Sequence, residues 1–291
     1  MRITVGMATV GRAALAARIV DLLADQTRPP DAIVVVGADP ADVTGIEAAR
    51  GNPVVLLAQR GLCRQRNAAM AAIRSEAQQP DIVLFIDDDF VPAPDYLANL
   101  EHLFTNHADV VGVTGELVSD GIHHHGHTLE EAQALIAARA AAMPPAIRPR
   151  QALYGCNMAF RLASTQGLTF DEALPLYGWQ EDIDFTYQLA RRGRLISTGL
   201  VTGVHMGTKG GRTSGRKMGY SQIANLVYLW RKGTMQPGLG EKLLRQNLLA
   251  NLVKSVRPEP HIDRRGRLIG NMLAIRDWAT GRIDPRRIET M

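Results

Sequence analysis

Short apolar runs alternate with segments of helical spacing through the first two thirds of the chain. Ile3–Ala8, Ala32–Val36, Pro53–Ala58, Ile82–Ile86 and Val110–Val118 read as strands. Between them, Ala13–Ala24 places Leu15, Ile19, Leu22 and Leu23 at helical spacing, Leu62–Arg74 follows the loop at Gly61, and another helix begins near Pro94. Ser119–Thr128 reads as a loop, Leu129–Met143 as an alanine-rich helix broken by Pro144, Pro145 and Pro149, and Ala152–Phe160 as a weakly alternating strand. Ile183, Tyr187 and Ala190 mark a helix that Gly193 ends, and Leu195–Val204 is a last strand that runs into His205. From about Met218 only helical spacing remains, in Tyr220–Trp230, Leu239–Val256 and Leu268–Trp278. Strands alternating with helices predict an α/β class with a mixed, mainly parallel sheet flanked by helices, followed by a helical C-terminal appendage.

The run Ile82–Ile86 is the most informative. It is unbroken, too short for a helix and followed by Pro92 and Pro94, which is the pattern of a buried central strand. Asp87, Asp88 and Asp89 arrive together at its C-terminal end, the edge where open α/β sheets collect ligands. Side-chain alternation sends Asp87 and Asp89 to one side and Asp88 to the other. Three carboxylates this close repel, and a divalent cation with a preference for oxygen ligands, Mg²⁺ or Mn²⁺, offsets that repulsion. The competing reading is an acidic turn that caps the following helix.

Other turns carry polar groups able to face a nucleotide: Thr9, Asp39, and the Arg64-Gln65-Arg66-Asn67 group. Arginines there also suit a solvated helix start. Neither a dinucleotide glycine fingerprint nor a Walker-type lysine loop is present. A second acidic constellation, Glu181, Asp182 and Asp184, sits in the first turn of its helix just after Gly178-Trp179. Helix-dipole complementarity accounts for acids in that turn. An aromatic plate beside a carboxylate also suits a sugar ring with a base next to its hydroxyl. His205, at a strand end before the glycine-rich basic stretch 207–217, is a better ligand candidate than an isolated histidine, and that stretch is expected to be mobile. His123, His124, His125 and His127 form either a surface loop or a metal-binding cluster.

Composition narrows the class without choosing a function. The 291 residues are 46% hydrophobic and 21% charged, with a net charge of +4, which mildly favours anionic partners. Two cysteines without metal-site spacing, no membrane-spanning run and a first strand beginning almost at Met1 predict a cytoplasmic protein with free thiols, with the membrane surface left open. The arginine-flanked C-terminal helices suggest a helix pair on the main domain, or a peripheral membrane or subunit contact. Nothing points to nucleic acid.

Several of these pieces together resemble the family 2 glycosyltransferases of GT-A fold. Ala8-Thr9 is similar to that family's first turn, Gly61 through Arg66-Asn67-Ala68 to its Ala-Arg-Asn segment, and Phe85–Asp89 to its Asp-x-Asp element. Trp179-Gln180-Glu181-Asp182 resembles its Glu-Asp element, and His205 its late metal-binding histidine. The resemblance spans residues 1–207. It implies transfer of a sugar, with inversion, from a nucleoside diphosphate sugar (a UDP-sugar) to a glycan or lipid-linked acceptor. By the same resemblance Thr9 and Asp39 sit by the nucleobase, Arg66 lines the nucleotide pocket, and Asp87 contacts the ribose, with Asp88 beside it on the donor. Asp89 and His205 hold the metal, Asp182 is the base, and Trp179 and Glu181 shape the acceptor side. Gly37-Ala38-Asp39-Pro40 departs from the family's usual Asp-Asp-Gly-Ser, which places Asp39 late.

The expected organisation is a catalytic domain over residues 1–212, with a nucleotide-sugar half to about 118 and an acceptor half from about 119, and a helical segment over 213–291. Two rivals remain open. A sugar nucleotidyltransferase calls for a longer glycine- and lysine/arginine-rich loop than Thr9-Val10-Gly11-Arg12. A non-catalytic nucleotide- or glycan-binding protein does not call for Asp87, Asp89, Asp182 and His205 together.

Overall fold

The computed structural model describes residues 1–123, 125–138, 146–208 and 214–291. In chain order the elements are β1 (Ile3–Ala8), α1 (Ala13–Ala24), β2 (Ala32–Gly37), α2 (Pro40–Val43), β3 (Val54–Leu57), α3 (Leu62–Ser75), β4 (Ile82–Asp87), β5 (Phe90–Pro92), α4 (Tyr96–Asn106), β6 (Val110–Asp120) and α5 (Leu129–Ala138). They continue with β7 (Ile147–Arg150), β8 (Asn157–Arg161), α6 (Glu181–Leu189), β9 (Arg194–His205), α7 (Gly215–Lys232), α8 (Pro237–Lys254) and α9 (Arg264–Ala279). The strands form one mixed sheet in the order β3-β2-β1-β4-β8-β6-β9-β5, with β7 on β9. The half from β3 to β4 is parallel, and β8 enters antiparallel between β4 and β6. This is the mixed α/β architecture the periodicity predicts.

The chain divides into two compact units. The first comprises residues 1–60, 64–169 and 188–211, and the second 61–63, 170–187 and 212–291. The first holds the whole sheet. β1 and β4 are buried along almost their whole length, and on the face that carries Ile3, Val5, Met7, Ile82, Leu84 and Ile86 the core includes Ile19, Val20 and Leu23 of α1 and Leu97, Leu100 and Phe104 of α4. The second is helical. Tyr220, Ile223, Ala224 and Val227 of α7 meet Ala274 of α9, with Ile283 and Ile288 from the C-terminal tail. Two glycines set how closely α7 and α9 approach. A Cβ on Gly219 would stand 2.0 Å from the Arg267 carbonyl oxygen, and one on Gly270 would stand 2.1 Å from that of Arg216. Any side chain there forces the helices apart.

The structure adds two strands that the apolar pattern does not show. β5 is three residues long and β7 four, and each contains a proline. Both pair only with β9, at positions where a missing N–H is tolerated. The expected strand 152–160 is shorter, because only Asn157–Arg161 joins the ladders of β4 and β6. The stretch 207–217, expected to be mobile, is helical at its end. Ser214 caps α7 by accepting the Lys217 N–H, so Gly215–Lys217 are helical, and residues 209–213 lie outside the described residues. The expected C-terminal part of the helix 129–143, from residue 139 onward, lies outside them too.

Candidate active site

β4 ends at Asp87, opposite Ala8 of β1, and Asp88 and Asp89 make the turn into β5. β5 then pairs with β9 so that Phe90 faces His205, and β6 pairs with β9 so that Asp120 faces the same histidine. Three strand ends are thereby brought to one point by register alone. Two glycines let them meet. A Cβ on Gly121 would lie 2.0 Å from the Met206 carbonyl oxygen, and Gly207, at φ +66°, would drive one to 2.3 Å from the Gly121 carbonyl carbon.

The carboxylates divide as alternation predicts. Asp89 turns toward His205, whose Nε2 is 3.4 Å from Asp89 Oδ1. The other ring nitrogen, Nδ1, is 2.9 Å from Asp120 Oδ1, and the Tyr154 hydroxyl donates to Asp120 Oδ2 at 3.0 Å. Asp120 therefore fixes the ring and leaves Nε2 facing the acids. The Thr208 N–H donates to Asp89 Oδ2 at 2.8 Å. Asp88 turns the other way and accepts the Thr9 hydroxyl at 2.7 Å. Arg12 spans both acids, with Nη2 2.7 Å from Asp88 Oδ1 and Nη1 3.1 Å from Asp89 Oδ2. Arg66 is buried beneath. Its Nη2 donates to the Gly155 carbonyl at 2.7 Å and to Asp87 Oδ1 at 3.2 Å, and its guanidinium lies 5.5 Å from the Phe85 ring centroid.

These contacts pull the acids in opposite directions. Burial pushes Asp88 up to about 7, against the pull of Arg12. Burial works against Asp89 as well, but the His205 hydrogen bond, Arg12 and the Thr208 N–H outweigh it and hold that carboxyl well below its usual range. Burial lowers the His205 imidazole, yet Asp120 and Asp89 overcome it and push it up to about 10. Loss of hydration raises Asp87 despite Arg66.

Asp87, Asp89 and His205 each offer one ligand atom, and those atoms lie within 4.8 Å of one another. Two carboxylate oxygens and an imidazole nitrogen form a donor set that suits Mn²⁺ or Mg²⁺. The residues fit a divalent cation. Among the described residues this is the one such group; of the histidine loop, His124 lies outside them and His127 Nε2 is 2.8 Å from the Ser119 hydroxyl.

Asp39 is exposed at the start of α2. The acid that organises that turn is Asp42, which is buried and accepts the N–H groups of Gly11, Ala38 and Asp39 at 2.6, 3.1 and 3.0 Å. Its spacing from Asp39, three residues across Asp39-Pro40-Ala41-Asp42, is the signal that could have found it. Asp120 was hidden because β6 runs two residues beyond Val118, and Arg12 because one arginine in a turn carries no pattern.

Glu181 and Asp182 belong to the second unit and open α6. The approach to them is strained. Leu176 and Gln180, neither of them glycine, take φ +56° and +74°, with Gly178 at +62° between. Asn225 of α7 donates to the Trp179 carbonyl at 2.8 Å and holds this segment. Asp184, fully buried, is bound by Lys232 Nζ at 2.7 Å and by the Thr234 hydroxyl. Lys232 also reaches Asp171 at 2.6 Å. Asp182 is half-buried, and its Oδ1 accepts the Ile183 N–H at 2.9 Å.

The family model described as "Glycosyltransferase like family 2" matches residues 2–200. The chain belongs to this glycosyltransferase family. Among curated proteins no relative matches it. Its fold is similar to those of solved GT-A glycosyltransferases. TarS residues 1–349 from S. aureus is 14% identical, with a TM-score of 0.57 over 100% of this chain and 83% of that one. The mannosyltransferase PcManGT from Pyrobaculum calidifontis, solved with GDP-Man and Mn²⁺, is 18% identical, with a TM-score of 0.53 over 99% and 86%. Glucosyl-3-phosphoglycerate synthase from Mycobacterium tuberculosis, solved with Mn²⁺, UDP and phosphoglyceric acid, is 19% identical, with a TM-score of 0.52 over 81% and 80%.

Proposed function

We propose that this glycosyltransferase moves a hexosyl group, with inversion, from a nucleoside diphosphate sugar to a hydroxyl of a glycan or lipid-linked acceptor, with a UDP-sugar as the donor. The observation that carries this reading is the convergence of Asp87, Asp89 and His205 at the C-terminal end of a buried central strand, with Arg66 beside Asp87. Asp89 and His205 hold the divalent ion and Asp87 meets the ribose. Bound there, the ion supplies Lewis-acid stabilisation of the leaving diphosphate. Thr9, Asp39, Arg66 and Asp88 form the nucleotide side. In the second unit, Asp182 takes the proton of the acceptor hydroxyl as its oxygen bonds to the anomeric carbon and the nucleoside diphosphate departs. Trp179 and Glu181 shape the acceptor side. Inversion needs this single base and no second carboxylate across the bond. The two cysteines, Cys63 and Cys156, are both buried, and a chain with so few fits a reducing cytoplasmic setting.

A thermal-shift screen of nucleoside diphosphates with and without Mn²⁺ tests the reading, since a ligand of the folded state raises the melting temperature. A shift for one nucleotide that needs Mn²⁺ and disappears in Asp89→Ala supports the donor site and names the base. No shift with any nucleotide removes it and favours a glycan-binding module of the same fold.

A further inference from the structure

α8 and α9 pack Leu244, Leu248, Leu273 and Ala274 into the helical core, yet each also turns polar side chains inward and an apolar stripe outward. A helix packed in water buries apolar side chains and exposes polar ones. Here the inward face of α8 carries Asn247 and Asn251, which bond Gln222 of α7 at 2.8 Å each, and Asn251 also donates to Asn271 of α9 at 2.9 Å. The outward face carries Leu249, Leu252, Val253 and, just past the helix end, Val256, at i, i+3, i+4 and i+7; Val253 is 68% and Val256 76% exposed. α9 repeats the arrangement, with Asn271 and Asp277 buried and Ile269, Met272, Ile275 and Trp278 exposed. Among the described residues, eight of the fourteen large exposed apolar side chains lie in this stretch, so the concentration is a property of these helices.

The charge around these stripes identifies what covers them. Residues 237–291 hold eleven lysines and arginines against six acids, a net +5, while the rest of the chain is at −1. The excess is placed along the stripes. Lys242 and Arg245 continue the α8 stripe toward its N-terminus, and Lys254 and Arg257 flank its other end. Arg265 and Arg276 stand one turn before Ile269 and one turn after Met272. Apolar side chains flanked by long cations are how a helix lies in the boundary between lipid headgroups and acyl chains. Among the described residues no helix is long and apolar enough to cross a membrane. A second copy of the chain is disfavoured, because it would bring two segments of net charge +5 together.

We propose that the C-terminal helical unit binds the surface of an anionic lipid bilayer through the exposed stripes of α8 and α9. The inference is independent of the donor-site reading, because it is tested without nucleotide or acceptor. The full chain is sedimented with vesicles of phosphatidylcholine plus phosphatidylglycerol, and with vesicles of phosphatidylcholine alone. The expected result is at least a roughly tenfold preference for the anionic vesicles, weakening with salt, since each basic side chain near such a surface contributes to attraction. Leu252→Ser/Val253→Ser lowers binding by about tenfold or more, and Arg245→Gln/Arg257→Gln lowers it on anionic vesicles alone. These side chains are exposed, so an unchanged melting temperature shows that the variants fold. Failure to sediment with anionic vesicles overturns the proposal, as does equal binding by Leu252→Ser/Val253→Ser. So does light scattering that shows a dimer abolished by the same pair, which would assign the stripes to self-association.

Discussion

Arg12 stands where a divalent cation would relieve the same acids, and its removal should therefore separate two effects. The guanidinium bridges Asp88 and Asp89, whose side chains are only 1% and 5% exposed. Truncating one partner of a buried ion pair costs about 3–5 kcal/mol. Here part of the charge remains satisfied, by the Thr9 hydroxyl on Asp88 and by Thr208 N–H and His205 on Asp89. Asp88, already pushed up to about 7, also escapes part of the cost by taking a proton. We expect Arg12→Ala to lose about 2–3 kcal/mol in chelator, a fall in Tm of roughly 3–5 °C for a chain of this size. With saturating Mn²⁺ the gap should shrink to less than half, because a bound cation replaces the lost charge. Mn²⁺ should also bind about tenfold more tightly, since it no longer displaces the Arg12–Asp89 pair. Arg12→Lys should fall between, keeping the charge without the two-pronged geometry. Scanning calorimetry and Mn²⁺ titration read these quantities. An equal loss of Tm with and without Mn²⁺, together with unchanged Mn²⁺ affinity, would refute the idea that guanidinium and metal compete for Asp89.

Three further outcomes follow from the same geometry. Asp182→Asn should lower kcat by about 10²–10⁴-fold while leaving Mn²⁺-dependent nucleotide binding intact, and wild-type turnover would remove the base assignment. In the metal-free protein His205, raised to about 10, carries a proton at neutral pH, and a ligand nitrogen must lose it; Mn²⁺ affinity should thus rise by up to about tenfold per pH unit between about pH 6 and 9, and His205→Gln should flatten that slope. Burial opposes the charge on Lys232, but Asp171 and Asp184 raise its pKa above the ordinary lysine value. Its contribution to stability is therefore complete below about pH 10.4 and is lost as pH rises through the folded-state value. Lys232→Met, which leaves buried Asp184 without its cation, should cost about 3 kcal/mol at neutral pH by calorimetry, and a loss under about 1 kcal/mol would show that the Thr234 hydroxyl alone satisfies Asp184.

The strands were legible where burial on both faces left a continuous apolar run. β1, β2 and β4 are such runs, and their observed bounds fall within a residue of the pattern. β5 and β7 were not legible because they are edge strands of three and four residues containing proline, held by the ladder of β9 and not by any periodicity of their own. The end of β6 was obscured for a related reason. Asp120 is polar, so the apolar run stops before it, yet pairing continues to it because Asp120 lies opposite His205.

The same distinction separates the two acidic elements. At Asp87, Asp88 and Asp89 the sequence carries local information, a strand followed by charges that alternation divides, and the contacts follow that division. At Glu181, Asp182 and Asp184 it carries less, because any acid in a first helical turn is favoured by the backbone dipole. What distinguishes Asp184 from Asp182 is Lys232, forty-eight residues later on α7, which takes Asp184 into a buried ion pair. Two residues apart on a helix point about 200° from one another. Anchoring Asp184 inward on α7 therefore turns Asp182 to the other side of α6, and Asn225, on the same helix, fixes Trp179 by its backbone. The orientation of Asp182 is in this way set by Lys232 and Asn225, residues outside the motif, which is why the motif alone could propose Asp182 but could not show what holds it.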